Sequence, residues 1–410
     1  MPTGPKPIVD IEKALVSESM LENIEQASWI RQMFEEGARL KRRFGEDNVF
    51  DFSLGNPSVP PPKALDAVLA RLAAESTPSD HRYMPNAGIE SVRAHFAARL
   101  TAAHGMRFEP QHVAMTCGAA GGLNILLKSI IDSGDEVILL RPYFPEYKFY
   151  VENHGGIVRL ADTTADFLPD PEKVEAAMSP RTRAIILNTP NNPSGVCYSQ
   201  EDVDALGRIV DRRNRTGGRP ALLVMDEPYR RLRFTAKEHP SVFRAAKHAA
   251  LVTSFSKDLG LAGERIGYLA LSPAMEGIEA LIAALAVAMR ILGFVNAPAL
   301  MQRLVAECDD MSVDVGVYRS NRDLLAGAMR RAGYRMAEPE GAFFLFSETP
   351  GGDDLAFCRR LKDEYRILCV PGTGFGTPGY MRISYAVPER VIRAAIPLFE
   401  KAFATSLETP

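Results

Sequence analysis

The stretch Ala221-Leu222-Leu223-Val224-Met225-Asp226-Glu227-Pro228-Tyr229 runs through five apolar residues straight into an acid, a second acid, a proline and a tyrosine. A run this short and apolar on both faces reads as a strand covered on both sides, the usual condition in a mainly parallel sheet. Six further runs have the same form, at residues 113–116, 136–140, 157–160, 184–188, 250–253 and 265–271. Between them lie helical patterns such as Leu123, Leu126, Leu127 and Ile130, whose spacing draws one apolar stripe along a helix. Repeated strand–helix alternation predicts an α/β fold with a seven-stranded, mainly parallel central sheet and helices on both faces.

The two ends of the chain read differently. Residues 18 to 48 carry a charged helical pattern marked by Trp29, Ile30, Met33 and Phe34, and an extended Phe52-Ser53-Leu54-Gly55-Asn56-Pro57 segment follows. From Pro298 onward come amphipathic helical patterns, short strands near 342–346 and 380–385, and a closing helix. A chain of 410 residues exceeds one ordinary core. The expected division is an N-terminal arm with part of a smaller α+β domain (1–60), a large α/β domain (61–297) and the rest of the small domain (298–410).

Composition narrows the function. Lys and Arg number 48 against 51 Asp and Glu, a net charge of -3. Nucleic acid is therefore not an expected partner, because phosphate backbones need clustered cations. Nothing approaches the roughly 18 consecutive apolar residues of a membrane span, and the N-terminus lacks the apolar core of a signal peptide. The five cysteines, Cys117, Cys197, Cys308, Cys358 and Cys369, are scattered and odd in number. That favours a reducing cytoplasm over a disulfide scaffold. The seven histidines show no ligand spacing, so no metal is expected.

In open α/β sheets ligands bind beyond the carboxyl ends of the strands, so the polar residues that follow each run carry the chemistry. After 113–116 comes Cys117-Gly118-Ala119-Ala120-Gly121-Gly122, small residues opening a helix whose free N–H groups suit a phosphate. It is neither the dinucleotide fingerprint nor a nucleoside-triphosphate loop. After 184–188 comes Thr189-Pro190-Asn191-Asn192-Pro193-Ser194-Gly195, a turn able to hold an amide outward. Asp226 ends its strand in apolar surroundings and needs a cationic partner. Ser254, Ser256 and Lys257 follow the run at 250–253, ahead of a glycine-punctuated loop that ends at Arg265. Amides, hydroxyls, an arginine, an asparagine, a carboxylate, a tyrosine and a lysine together suit an aromatic aldehyde bearing a phosphate, a phenolic oxygen and a pyridine nitrogen.

With these motifs in order, the sequence resembles the class I (class I/II) aminotransferases, pyridoxal 5'-phosphate enzymes of fold type I, over nearly its whole length. The signature is Ser254-x-x-Lys257 with Arg265 eight residues after the lysine. The resemblance implies that Lys257 is the Schiff-base lysine and that Ser254, Ser256 and Arg265 bind the cofactor phosphate, beside the Gly118, Ala119 and Ala120 turn. It implies that Asn192 and Tyr229 meet the phenolic oxygen, that Asp226 pairs with the pyridinium nitrogen, and that Phe144 stacks on the ring. Tyr83, in Tyr83-Met84-Pro85-Asn86-Ala87-Gly88, matches the tyrosine that reaches the phosphate of the neighbouring subunit, which implies a homodimer. Arg382, in Tyr380-Met381-Arg382-Ile383-Ser384, matches the arginine that clamps a substrate α-carboxylate, with Gly55 and Asn192 beside it. An arginine fork suits that task because it binds a carboxylate bidentately. One departure stands out: Ala119 and Ala120 lie where related sequences often carry Ser or Thr, so hydroxyl contacts to the phosphate are lost there.

The reaction implied is ping-pong transfer of an amino group from an L-α-amino acid to a 2-oxo acid, with 2-oxoglutarate expected on family grounds. The catalytic residues implied are Lys257, Asp226 and Tyr229. Aspartate, aromatic and aliphatic donors all remain open. Arg290 falls about where some relatives place a second arginine for a distal carboxylate, although helix-surface arginines are common. The Ala280–Ala288 stretch before it reads as a buried or interface helix. The alternative chemistry on the same fold is a carbon–sulfur β-lyase or a decarboxylase. A binding-only regulator would want a basic DNA-binding segment, which residues 1 to 50 lack.

Overall fold

The computed structural model describes residues 15–26 and 28–407, with the side chains of residues 25–35 and 407 excepted. The apolar face expected from Trp29, Ile30, Met33 and Phe34, and the leader reading of the first residues, lie outside the described residues. The backbone there forms helices Glu18–Gln26 and Ser28–Phe44.

Among the described residues twelve strands follow in chain order. They are β1 (Phe50–Asp51), β2 (Val113–Thr116), β3 (Glu136–Arg141), β4 (Ile157–Asp162), β5 (Thr182–Asn188), β6 (Leu222–Asp226), β7 (Ala249–Ser254), β8 (Gly267–Leu271), β9 (Phe344–Glu348), β10 (Ile367–Leu368), β11 (Val370–Pro371) and β12 (Tyr380–Ser384). The seven-stranded sheet has the order β2-β8-β7-β6-β5-β3-β4. Only β8 runs antiparallel to its neighbours β2 and β7; the other pairings are parallel.

Strand periodicity explains why both faces are covered. Val137, Leu139, Leu222 and Val224 pack on one side with Leu123, Leu126 and Leu127 of helix Gly118–Ile130. Their chain neighbours Ile138, Leu140, Leu223 and Met225 pack on the other side with Val203, Leu206 and Val210 of helix Gln200–Arg215. Side chains alternate between faces along a strand, so runs apolar at every position feed two cores at once. Two sequence expectations need correction. The run at 157–160 is not covered on both sides: it lies at the sheet edge, where Ile157 and Leu160 are 41% and 40% exposed. The run at 265–271 begins as a strand only at Gly267, because Arg265 sits at φ 54°, a left-handed conformation that no strand holds.

A third apolar cluster joins the chain's two ends. Phe52, Tyr318, Leu325, Phe343, Leu361 and Phe399 meet in it, beneath the antiparallel sheet β11-β12-β9. The pairing β1–β10 ties residues 50–51 to 367–368. Leu304, Val305 and Cys308 instead pack with the central sheet's cluster. No described helix is long and apolar enough to cross a membrane, and all five cysteines are free thiols.

Candidate active site

Parallel register brings the strand ends together: Asn188 is paired with Asp226 and Asp226 with Val252, two residues before Ser254. The residues singled out after three separate runs therefore share one edge of the sheet. They line a cavity of about 280 Å³ with Gly55, Ala119, Ala120, Phe144, Asn192, Tyr229, Ser256, Lys257, Arg265 and Arg382. Thus all but two of the expected site residues line one pocket. Gly118 is just behind it, where an added Cβ would stand 2.9 Å from Arg265 Nη2. At φ 71° this residue also occupies the left-handed region that glycine enters without penalty.

Asp226 is 4% exposed and ends β6. Tyr147 Oη donates to its Oδ2, Asn188 Nδ2 donates to its backbone carbonyl at 2.9 Å, and its Oδ1 is buried with no partner. Burial pushes its pKa up to about 7; Glu227 adds to the rise, and the Tyr147 hydrogen bond opposes it. Lys257 Nζ donates to the Gly55 carbonyl at 2.8 Å. Burial lowers its pKa to about 8, helped by the charges of Arg265 and Arg382. Gly55 fits only without a side chain, since a Cβ would meet Phe344 Cζ at 2.8 Å.

Arg382, on β12, is 3% exposed. Its Nη1 donates to Asn192 Oδ1 at 3.0 Å and its Nη2 to the Ser53 carbonyl at 2.6 Å. The guanidinium lies between the Phe344 and Phe375 rings, 4.6 and 4.8 Å from their centroids. Nε is buried without a partner, and burial lowers the pKa to about 10. Asn192 is held in turn by its backbone N–H donating to Asn188 Oδ1 at 2.7 Å. Tyr229 is buried, and desolvation raises its phenol well above the ordinary value.

Tyr83 and Arg290 stand elsewhere. Tyr83 is 92% exposed, beside a surface depression lined by Asn296, Pro298 and Arg303. Arg290 is exposed on helix Ile278–Ile291 and does not line the central pocket. Sequence reasoning missed Glu146, Tyr147 and Tyr150, which also line that pocket. Their signal was a polar set spaced along helix Glu146–Glu152, directly after Phe144. Tyr147 packs edge-on to Phe144, 5.4 Å between centroids.

These residues fit pyridoxal 5'-phosphate. The unpartnered Asp226 oxygen is a seat for a protonated ring nitrogen, and the Lys257 amine suits an aldehyde. Ser254, Ser256, Arg265 and the opening turn of helix Gly118–Ile130 offer hydroxyl, guanidinium and N–H donors to a phosphate.

The sequence model of the family described as aminotransferase class I and II matches residues 47–397. The chain is 32% identical over 368 residues to the aspartate/prephenate aminotransferase of Thermus thermophilus, covering 88% of this chain and 92% of that protein. It is 28% identical to the methionine aminotransferase of Escherichia coli, covering 85% and 91%. The crystal structure of an amino transferase from Eubacterium rectale superposes with a TM-score of 0.91 at 36% identity, covering 95% of this chain and 99% of that one.

Proposed function

The chain belongs to the class I and II aminotransferases, and from that premise we propose how its own residues divide the work of a pyridoxal 5'-phosphate-dependent transamination. The observation that carries the reading is the convergence of Lys257, Asp226 and Arg382 on one cavity. The bound cofactor supplies an aldehyde that takes up an amino group and a ring that accepts electrons from the donor's Cα. Asp226 holds the proton on the ring nitrogen; a cationic partner there returns its carboxyl from a pKa of about 7 to the ionised form. Lys257 is both the anchoring amine and, once released, the base that moves the Cα proton. Its lowered pKa keeps a useful share of free amine near neutrality. Arg382 forks the α-carboxylate, preset by Asn192, Ser53 and two phenyl rings. Gly55 would border that carboxylate site, Asn192 and Tyr229 would meet the phenolic oxygen, and Phe144 would stack on the ring.

We propose donors without a second carboxylate. Among the described residues the cations lining the cavity are Lys257, Arg265 and Arg382, each already assigned, and Arg290 lies outside it. The relatives' names span aspartate, prephenate and methionine chemistry, and 2-oxoglutarate as acceptor rests on the resemblance alone. The test is a half-reaction: loaded enzyme receives single amino acids with no acceptor. One equivalent of the matching 2-oxo acid per site is expected, fastest from monocarboxylic donors. Continuous release of ammonia with pyruvate, or of carbon dioxide, would assign the lyase or decarboxylase chemistry instead.

We also propose a homodimer in the cytoplasm. A bare Tyr83 and the exposed Val287 and Ile291, 56% and 63% accessible on helix Ile278–Ile291, support a face that a second copy covers. Sedimentation is expected to give about 90 kDa, twice the 45.0 kDa chain. A 45 kDa species that turns over at full rate would refute the crossing of Tyr83. We propose the domain division at residues 60 and 297; Leu304 and Val305, just beyond the second bound, pack with the central sheet's cluster.

A further inference from the structure

Among the side chains lining the cavity, Glu146 has no part in the scheme above. It opens helix Glu146–Glu152, one residue before the tyrosine that bonds Asp226. Its Oε2 is buried with no hydrogen-bond partner among the described residues, and it lines the same cavity as Arg382 and Lys257. It shares that lining with Phe144 and Tyr150 on one hand and with Tyr229 and Arg382 on the other. Arg382 donates to Asn192 and Ser53 and makes no hydrogen bond to Glu146 Oε2. Burial raises its pKa, while its own backbone N–H and Arg382 pull the other way.

We propose that Glu146 determines side-chain specificity, accepting a hydrogen bond from a donor amino acid whose side chain ends in a cation such as an ammonium or guanidinium. This rests on the transaminase reading and deepens it. A desolvated carboxylate with an idle oxygen is costly to keep, and an incoming cation is the group that relieves the cost. A site built around an unsatisfied polar group rejects ligands that leave it unsatisfied far more strongly than an apolar site rejects a misfit. A distal carboxylate would set a second anion beside Glu146 and is excluded for the same reason. With Arg382 on the α-carboxylate, the two charges read the two ends of one ligand.

The test has two arms, each with the cofactor-loaded protein. In the first, calorimetry compares 5-guanidinopentanoate with adipate, two unreactive acids of similar reach that differ in the charge at the far end. The guanidino acid is expected to bind at least about 10-fold more tightly, and Glu146→Gln to reduce that ratio to within about 3-fold. In the second, kcat/KM for lysine, arginine and aspartate is taken relative to alanine. Glu146→Gln should lower the ratios for lysine and arginine by about 10- to 100-fold and raise the ratio for aspartate. Tighter adipate binding by the unaltered protein, which needs no variant to fold, would overturn the proposal. So would equal weakening of both acids in Glu146→Gln, the mark of a merely structural support for Arg382. Failure of every donor to yield a 2-oxo acid, with the calorimetric preference intact, would instead sink the transaminase reading and leave the charge preference standing.

Discussion

Lys257→Ala lowers turnover by about 10⁴-fold, the upper end of what one positioned proton-transfer group supplies. The loss arises twice over. The amine that would anchor an aldehyde covalently is gone, and so is the base that sits within the cavity against the Gly55 carbonyl. Binding of pyridoxal 5'-phosphate should survive in the variant, because Ser254, Ser256, Arg265 and the opening turn of helix Gly118–Ile130, the proposed phosphate seat, are untouched. The two effects separate by experiment. Equilibrium dialysis should retain the cofactor, the borohydride-trapped covalent adduct should vanish, and the single-turnover rate should collapse. Full turnover in Lys257→Ala would refute the assignment of the lysine. Loss of cofactor binding along with turnover would show that the phosphate seat is too weak without the covalent link.

Asp226→Asn is expected to act in opposite directions on activity and on stability. An amide cannot hold a proton on the ring nitrogen, so kcat should fall by about 10²- to 10³-fold, the loss seen when one preorganised charge partner is removed. In the cofactor-free protein the aspartate is a liability. Its pKa stands at about 7 in the fold against an ordinary 3.8. Between those values the unfolded chain has given up its proton while the folded chain keeps it, so the unfolded state binds fewer protons and stability falls as pH rises. Below 3.8 both states hold the proton, and above about 7 the loss is complete. The variant removes this slope and should therefore be the more stable apoprotein at pH 8, with little difference at pH 4. Tyr147 still finds an acceptor in the amide oxygen. Denaturant unfolding at the two pH values checks the sign; a variant less stable at pH 8 would mean that the carboxylate already has a cationic partner in the empty fold.

The alternation of apolar runs with helical stripes was legible without coordinates because each core face imposes its own spacing on the chain. Residues such as Leu139 and Val224, apolar alongside apolar neighbours, announce a sheet covered on both sides. Lys257, Asp226 and Asn192 were legible for a related reason. Asp226 ends a strand and the other two lie within four residues of one, and parallel strands deliver their carboxyl ends to one edge whatever their order in the chain. Arg382 was identified by the residues around it, on a strand more than a hundred residues from the rest.

The sequence by itself determined the α/β class, the residues at the strand ends and the family. Those depend on local spacing and on motifs that are contiguous. What only the tertiary structure decided is how the polar atoms are shared out. Tyr147 occupies one oxygen of Asp226 and leaves the other idle. Asn192 and Ser53 accept from Arg382, and Glu146 keeps one oxygen without a partner in the cavity. Partnership of this kind depends on distances between elements far apart in the chain, and burial fixes its energetic weight. A string of residue types encodes neither until the sheet, the closing helices and the C-terminal strands have packed.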